Sequence, residues 1–152
     1  MDIAEAINRY CHYQERCHHE VRYKLVELGA RGEELEQYLT DLIQAGLLNE
    51  ERFAQSYVRG KFRINQWGRK KIVQSLKQKQ VSEYCIKMGL RQIDEEEYAA
   101  TILHLAKKKW TELKSERSKA IRKQKVLRYL LQKGYEYDLG NDAINNIIAQ
   151  AN

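Results

Sequence analysis

Moved forward by 51 residues, one stretch of this chain falls on another. Val21, Leu25, Gly29, Leu35 and Leu39 land on Ile72, Leu76, Gln80, Ile86 and Leu90 with every spacing kept. A third copy opens with Val126, Leu130 and Gly134, and then needs a few extra residues before Ala143, Ile144, Ile147 and Ile148. Steps of three and four residues place apolar side chains on one face of an α-helix. Each copy therefore reads as a helix, a second helix ending near Gly29, Gln80 or Gly134, a short turn, and a third helix. A unit of ~45 residues is marginal alone and stacks on its neighbours. The expected fold is all-α: three tandem three-helix units, about nine helices in all, forming an elongated, curved array. Their boundaries fall at 1–48, 49–93 and 94–152.

The remaining apolar residues keep the same period. Ile3, Ile7, Tyr10 and Cys11 form one stripe; Leu35, Tyr38, Leu39, Leu42 and Ile43 form another. Phe53, Ala54, Tyr57 and Val58 make a third, and Ala99, Ile102, Leu103, Ala106 and Trp110 a fourth. No segment alternates apolar and polar residues as a strand would, and proline is absent. Asn49, Ser82 and Asp94 stand where N-caps belong, each flanked by an apolar pair spaced as a hydrophobic staple. Gly29, Gly46 and Gly134 stand where left-handed C-caps belong. Gln80 takes that position in the second unit, at a cost of around 1 kcal/mol relative to glycine. The third unit leaves one choice open, between a nearly continuous helix and two helices with a loop near Ser115.

With 43% hydrophobic and 32% charged residues the chain is a folded protein rather than a disordered one. Neither a basic leader with an apolar run nor a stretch of ~20 apolar residues is present, so no membrane association and a cytoplasmic location are expected. Cys11, Cys17 and Cys85 are an odd set at irregular spacings, which suits a reducing compartment and not a disulfide framework.

No catalytic constellation emerges, and the chain is expected not to be an enzyme and to need no cofactor. Gly29 to Gly32 lacks the Lys-Ser/Thr of a phosphate loop. Cys11, His12, Cys17, His18 and His19 offer zinc-type ligands without ligand spacing, so they read as buried cysteines beside exposed histidines and no metal is expected. Tyr84 and Cys85 read as packing residues. Carboxylate pairs such as Glu33 and Glu34 fall at helix starts, where the dipole explains them.

The informative signal is basic charge. The net charge of +6 divides as −4 over residues 1–48, +8 over 49–93 and +2 over 94–152. Arg59, Lys61 and Arg63 precede Trp67, and Arg69, Lys70 and Lys71 follow it. A tryptophan among cations is the pattern of a single-stranded nucleic-acid platform; the competing reading is a plug between helices under solvated charges. Lys107, Lys108, Lys109, Arg117, Arg122, Lys123 and Arg128 make a second cluster around Trp110. Arg69, Lys70 and Lys71 open a helix against its dipole. They are thus expected to be dispensable for folding and to serve a polyanionic partner.

The junction of the first two units runs Gly46-Leu47-Leu48-Asn49-Glu50-Glu51-Arg52-Phe53-Ala54-Gln55-Ser56-Tyr57-Val58, and Gly68-Arg69-Lys70-Lys71-Ile72 with Leu76 follows ten residues on. Upstream stands Arg16-Cys17-His18-His19-Glu20-Val21 with Leu25. These segments resemble the RecX family signature, clearly over residues 3–93 and more weakly beyond. The departures are Glu50 where the family has Asp, Cys17 or His18 near its Ser, and Gln80 at its Gly. Phe53, Ala54, Tyr57 and Asn49 read as folding determinants rather than as a site. The resemblance implies a protein of DNA repair, homologous recombination and the SOS response that lodges in the groove of a RecA–DNA filament. There it would lower ATP hydrolysis, strand exchange and coprotease activity. It implies a monomer whose partners are the RecA recombinase filament and, more weakly and with salt dependence, single- or double-stranded DNA. The two basic clusters are the contact candidates. Two other classes fit the residues: an autonomous DNA- or RNA-binding helical protein, and a helical-repeat scaffold with a peptide partner.

Overall fold

The computed structural model describes residues 2–151, and these hold helices α1 (Ile3–Tyr13), α2 (His18–Glu27), α3 (Gly32–Gln44), α4 (Glu50–Arg63), α5 (Arg69–Gln78), α6 (Glu83–Leu90), α7 (Glu95–Glu112), α8 (Lys119–Gln132) and α9 (Tyr137–Ala151). No strand occurs among the described residues. The fold is all-α and built of tandem three-helix groups. The open choice in the third group resolves as two helices, α7 and α8, with the Ser118 hydroxyl accepting the Ile121 N–H at the start of the second.

The repeat is literal at its turns. Val21, Leu25, Ile72, Leu76, Val126 and Leu130 are all fully buried. After each pair the helix closes in the same Schellman turn, with two amides reaching back across the cap. Gly29 N–H donates to the Val26 carbonyl and Ala30 N–H to the Leu25 carbonyl, at 3.0 and 2.9 Å. Gln80 and Val81 repeat this on Lys77 and Leu76, and Gly134 and Tyr135 on Leu131 and Leu130. The cap residues have φ of +101°, +61° and +99°, so Gln80 does take the left-handed conformation. The next helix starts three residues after the cap in every copy, at Gly32, Glu83 and Tyr137. The third copy therefore needs no extra residues, contrary to expectation. Gly140 simply stands where Leu35 and Ile86 stand, and Ile144 where Leu39 and Leu90 do. Gly140 is buried and lets α9 close on the side chains of Leu127 and Leu130.

The N-caps form as expected. Asn49 Oδ1 accepts the Arg52 N–H at 2.9 Å, Ser82 Oγ the Cys85 N–H at 3.2 Å, and Asp94 Oδ2 the Glu97 N–H at 2.9 Å. Four apolar assignments fail. Ile43, Leu103 and Tyr84 face outward, 47%, 38% and 61% exposed, and Ala99 is exposed as well. A window of helical period admits residues at the edge of a stripe that packing does not reach.

Compactness groups these helices into two units of different charge. The first comprises residues 1–58 and 75–92, and the second residues 59–74 and 93–152. The first holds ten Lys/Arg against twelve Asp/Glu, net −2; the second holds seventeen against nine, net +8. In the first, Ile7, Cys11, Val21, Leu25, Leu35, Leu39, Leu42 and Leu48 form a continuous core. In the second, Phe62, Tyr98 and Tyr135 stack in series with ring centroids 5.7 and 5.3 Å apart. Ile102, Ala106, Trp110, Val126, Leu130 and Ile144 are buried in the same unit. No helix among the described residues is long and apolar enough to cross a membrane.

Candidate functional site

Both basic clusters found in the sequence fall in the second unit, and its local folding decides which cations are spent on structure. The first turn of α5 docks on the last turn of α8. Gly68 N–H donates to the Lys133 carbonyl at 2.7 Å and Lys70 N–H to the Gly134 carbonyl at 2.9 Å, so helix-end donors meet helix-end acceptors. The backbones approach so closely that a Cβ on Gly68 would overlap the main chain of Gly134 and Tyr135.

Arg69 completes this junction. Its N–H donates to Tyr98 Oη at 3.0 Å, and Tyr98 Oη donates in turn to Glu136 Oε1 at 2.5 Å. The circuit closes through Arg69 Nη1, which donates to Glu136 Oε2 at 3.0 Å. Arg69 Nη2 bonds Glu95 at 2.6 Å, and the guanidinium lies 4.0 Å over the Tyr98 ring. Burial, reinforced by Glu136, pushes the Tyr98 phenol well above its ordinary value. The expectation that Arg69 is dispensable for folding is overturned. The argument from the helix dipole omitted two carboxylates that reach it from α7 and from the α8–α9 turn. Arg122 is likewise committed: it lies 3.7 Å over the Trp110 ring, and its Nε donates to the Trp110 carbonyl at 3.0 Å. Arg63 meets Glu97 at 3.5 Å.

The other cations converge on two aromatic rings. Lys61 Nζ and Lys71 Nζ lie 4.8 and 4.5 Å from the Trp67 ring centroid. Lys109 Nζ and Lys133 Nζ lie 5.0 and 5.9 Å from the Tyr129 ring centroid. Lys133 links the two groups. Partial burial, then the charges of Lys71 and Lys108, hold its ammonium below the usual lysine value. Cations of α4, α5 and α7 thus meet beside the cap of α8. Lys70, Lys107 and Lys108 are exposed, as are Arg59, Arg117 and Arg128, while Lys123 is half-buried. Trp67 is half-buried, so part of its surface packs and part stays open to solvent. Lys133 and Tyr129 escaped the sequence reading because Lys133 reads there only as a helix end. A surface of ammonium groups beside aromatic rings can attract anions. It contains no thiol, and in the other unit burial pushes Cys17 up to about 11 and raises Cys11 as well, which leaves neither a nucleophile. Among the described residues no three His, Cys, Asp or Glu are placed to hold a metal.

Comparison with known proteins bears on the whole chain. The description "RecX, second three-helix domain" matches residues 49–90, and "RecX, third three-helix domain" matches 95–144. A protein named regulatory protein RecX from Clostridium perfringens (strain 13 / Type A) is 36% identical over 129 residues, 84% of this chain and 60% of that protein. The chain therefore spans about 60% of the length of that relative. One of the same name from Prosthecochloris aestuarii is 30% identical over 138 residues, 89% of this chain and 88% of that protein. The crystal structure of RecX from Lactobacillus salivarius superimposes with a TM-score of 0.88 at 25% identity, over 97% of this chain and 95% of that one. With the junction segment, the threefold turn and the family descriptions in agreement, this chain belongs to the RecX family.

Proposed function

We propose that this protein regulates RecA by engaging the RecA–DNA filament through the cationic face of its second unit, lowering the filament's ATPase. One observation carries the reading. Lysines 61, 71, 109 and 133, from separate stretches of sequence, are gathered around Trp67 and Tyr129, with the charge of Lys108 felt at Lys133, in a unit of net charge +8. Lys109 pairs with Glu112 at 3.6 Å and the rings face several of the ammonium groups, but cations gathered this closely still repel one another, and a polyanionic partner relieves that repulsion. The polyanion of a nucleoprotein filament does so, with counterions released from each phosphate contacted.

The test is RecA ATPase on single-stranded DNA with Lys70, Lys71 and Lys108 replaced together by glutamate. Arg69 is left intact, since it holds the α5–α8 junction. The triple variant is expected to need about tenfold more protein for half-maximal inhibition, as three phosphate or carboxylate contacts each worth ~0.5 kcal/mol would predict. Its melting temperature should stay close to that of the wild type. Wild-type potency in the variant at physiological salt refutes this face as the contact.

A further inference from the structure

At the edge of this face is a loop whose tip the function proposed above does not use. Between α4 and α5, residues 64–68 turn through Gln66, which has φ +56° without being glycine. The turn is pinned at three points. Trp67 N–H donates to the Lys61 carbonyl at 3.0 Å, Lys133 Nζ to the Asn65 carbonyl at 3.1 Å, and Tyr135 Oη to the Gln66 carbonyl at 2.7 Å. Tyr135 itself is fully buried, so the loop is anchored to the core of its unit. This pinned turn displays Ile64, 82% exposed, with the exposed Asn65 beside it.

A single exposed isoleucine is ordinary. One held at a fixed position next to Arg63, on a loop whose carbonyls take hydrogen bonds from Lys133 and Tyr135, has a directed environment. Lys61, three residues before Ile64 at the end of α4, and Lys71, in the first turn of α5, flank the Trp67 ring at 4.8 and 4.5 Å. The short segment from Lys61 to Lys71 thus carries an exposed apolar side chain, an indole and two ammonium groups. A single nucleic-acid strand carries the matching groups, phosphodiester and flat apolar base. An acidic protein surface would use the lysines and leave Ile64 in water. A duplex hides the faces of its bases in the stack, at a cost of unstacking before any side chain reaches them.

We propose that the 64–67 loop is a base-contacting element for single-stranded nucleic acid: Ile64 presses on an unstacked base while Lys61, Lys71, Lys133 and Lys108 hold the adjoining phosphodiesters. This deepens the reading of the cationic face as the filament contact and rests on it for its biological setting, but it is testable without RecA.

The probes are a fluorescein-labelled oligothymidylate of about twenty nucleotides, a length several binding sites long, and an abasic oligonucleotide of equal length and charge. Binding of each to the full chain is followed by anisotropy at several salt concentrations. The wild type is expected to bind the thymidylate about fivefold more tightly, base contact being the only difference. Ile64→Ser should remove that preference while leaving the salt slope and the melting temperature unchanged, and Ile64→Phe should keep it or raise it. Lys108→Glu should weaken both probes alike and lower the salt slope by about one. Equal binding of the two probes by the wild type overturns the proposal, as does an Ile64→Ser protein that retains the preference. RecA ATPase on the same variants separates the two readings: no effect of the wild type on RecA refutes the filament contact, and leaves the base contact to be judged by the oligonucleotides alone.

Discussion

Gly29 and Gly134 are equivalent cap glycines in the first and third repeats, with φ of +101° and +99°, yet alanine at the two positions is expected to have very different effects. The backbone penalty is shared, about 1–2 kcal/mol for a Cβ in this conformation. At Gly29 that is the whole cost, because a Cβ there meets nothing within 4 Å. At Gly134 the Cβ would stand 2.6 Å from the Lys71 amide nitrogen, closer still to Lys71 Cβ, and 3.0 Å from the Gly68 carbonyl oxygen. None of these is the free end of a side chain, so α8 and α5 must move apart. Overpacking of this kind costs about 1–3 kcal/mol. The separation also strains the bonds from Gly68 to Lys133 and from Lys70 to Gly134, each worth about 1 kcal/mol net. Gly134→Ala should therefore cost about 4–7 kcal/mol against about 1–2 for Gly29→Ala. Urea unfolding followed by circular dichroism and by tryptophan fluorescence measures both, and Trp67 and Trp110, both in the second unit, report on the affected side. Equal losses within 1 kcal/mol would refute the claim that backbone contact between α5 and α8, and not φ alone, demands glycine at residue 134.

Gln80→Gly removes a left-handed glutamine at φ +61° and should raise the urea midpoint by the equivalent of about 0.5–1 kcal/mol; a lower midpoint would contradict the cap. Arg69→Gln should cost about 2 kcal/mol, since the Tyr98–Glu136–Arg69 circuit is only partly screened at 23% exposure of the Arg69 side chain. Lys70→Gln, one position on and exposed, should cost less than about 0.5 kcal/mol in the same titration, and parity between the two would undo the structural role given to Arg69.

Much of the fold was legible because it is written locally. A Schellman turn needs an apolar residue five before its final amide and a residue tolerant of positive φ one before it, and both lie within six positions of each other. That is why Leu25-Gly29, Leu76-Gln80 and Leu130-Gly134 could be aligned by eye. The side-chain caps Asn49, Ser82 and Asp94 were legible for the same reason. Which face of a stripe ends at Ile43 or Leu103 was not, because that depends on how far a neighbouring helix extends.

The site was legible only in composition, and its composition misled in one instructive way. Read along the chain, Arg69, Lys70 and Lys71 are three equal cations at an unfavourable helix end. In space they divide. Arg69 turns toward Glu95 and Glu136, Lys70 stays exposed, and Lys71 approaches Trp67 and Lys133. The partners of Arg69 lie 26 and 67 residues away, beyond any window of local pattern. The same long-range step adds Lys133 to the face, where the charges of Lys71 and Lys108, 37 positions apart in sequence, are both felt. A charge count over residues 49–93 therefore does not coincide with the cationic unit found in space. Five of the cations behind its +8, namely Arg52, Lys77, Lys79, Lys87 and Arg91, belong to the other compact unit, whereas the second cluster, read as separate, belongs to the same unit as Trp67. What a polyanion would meet is set by the α5–α8 junction. Gly68 and Gly134, whose missing side chains allow that approach, are thus as much determinants of the cationic face as the lysines on it.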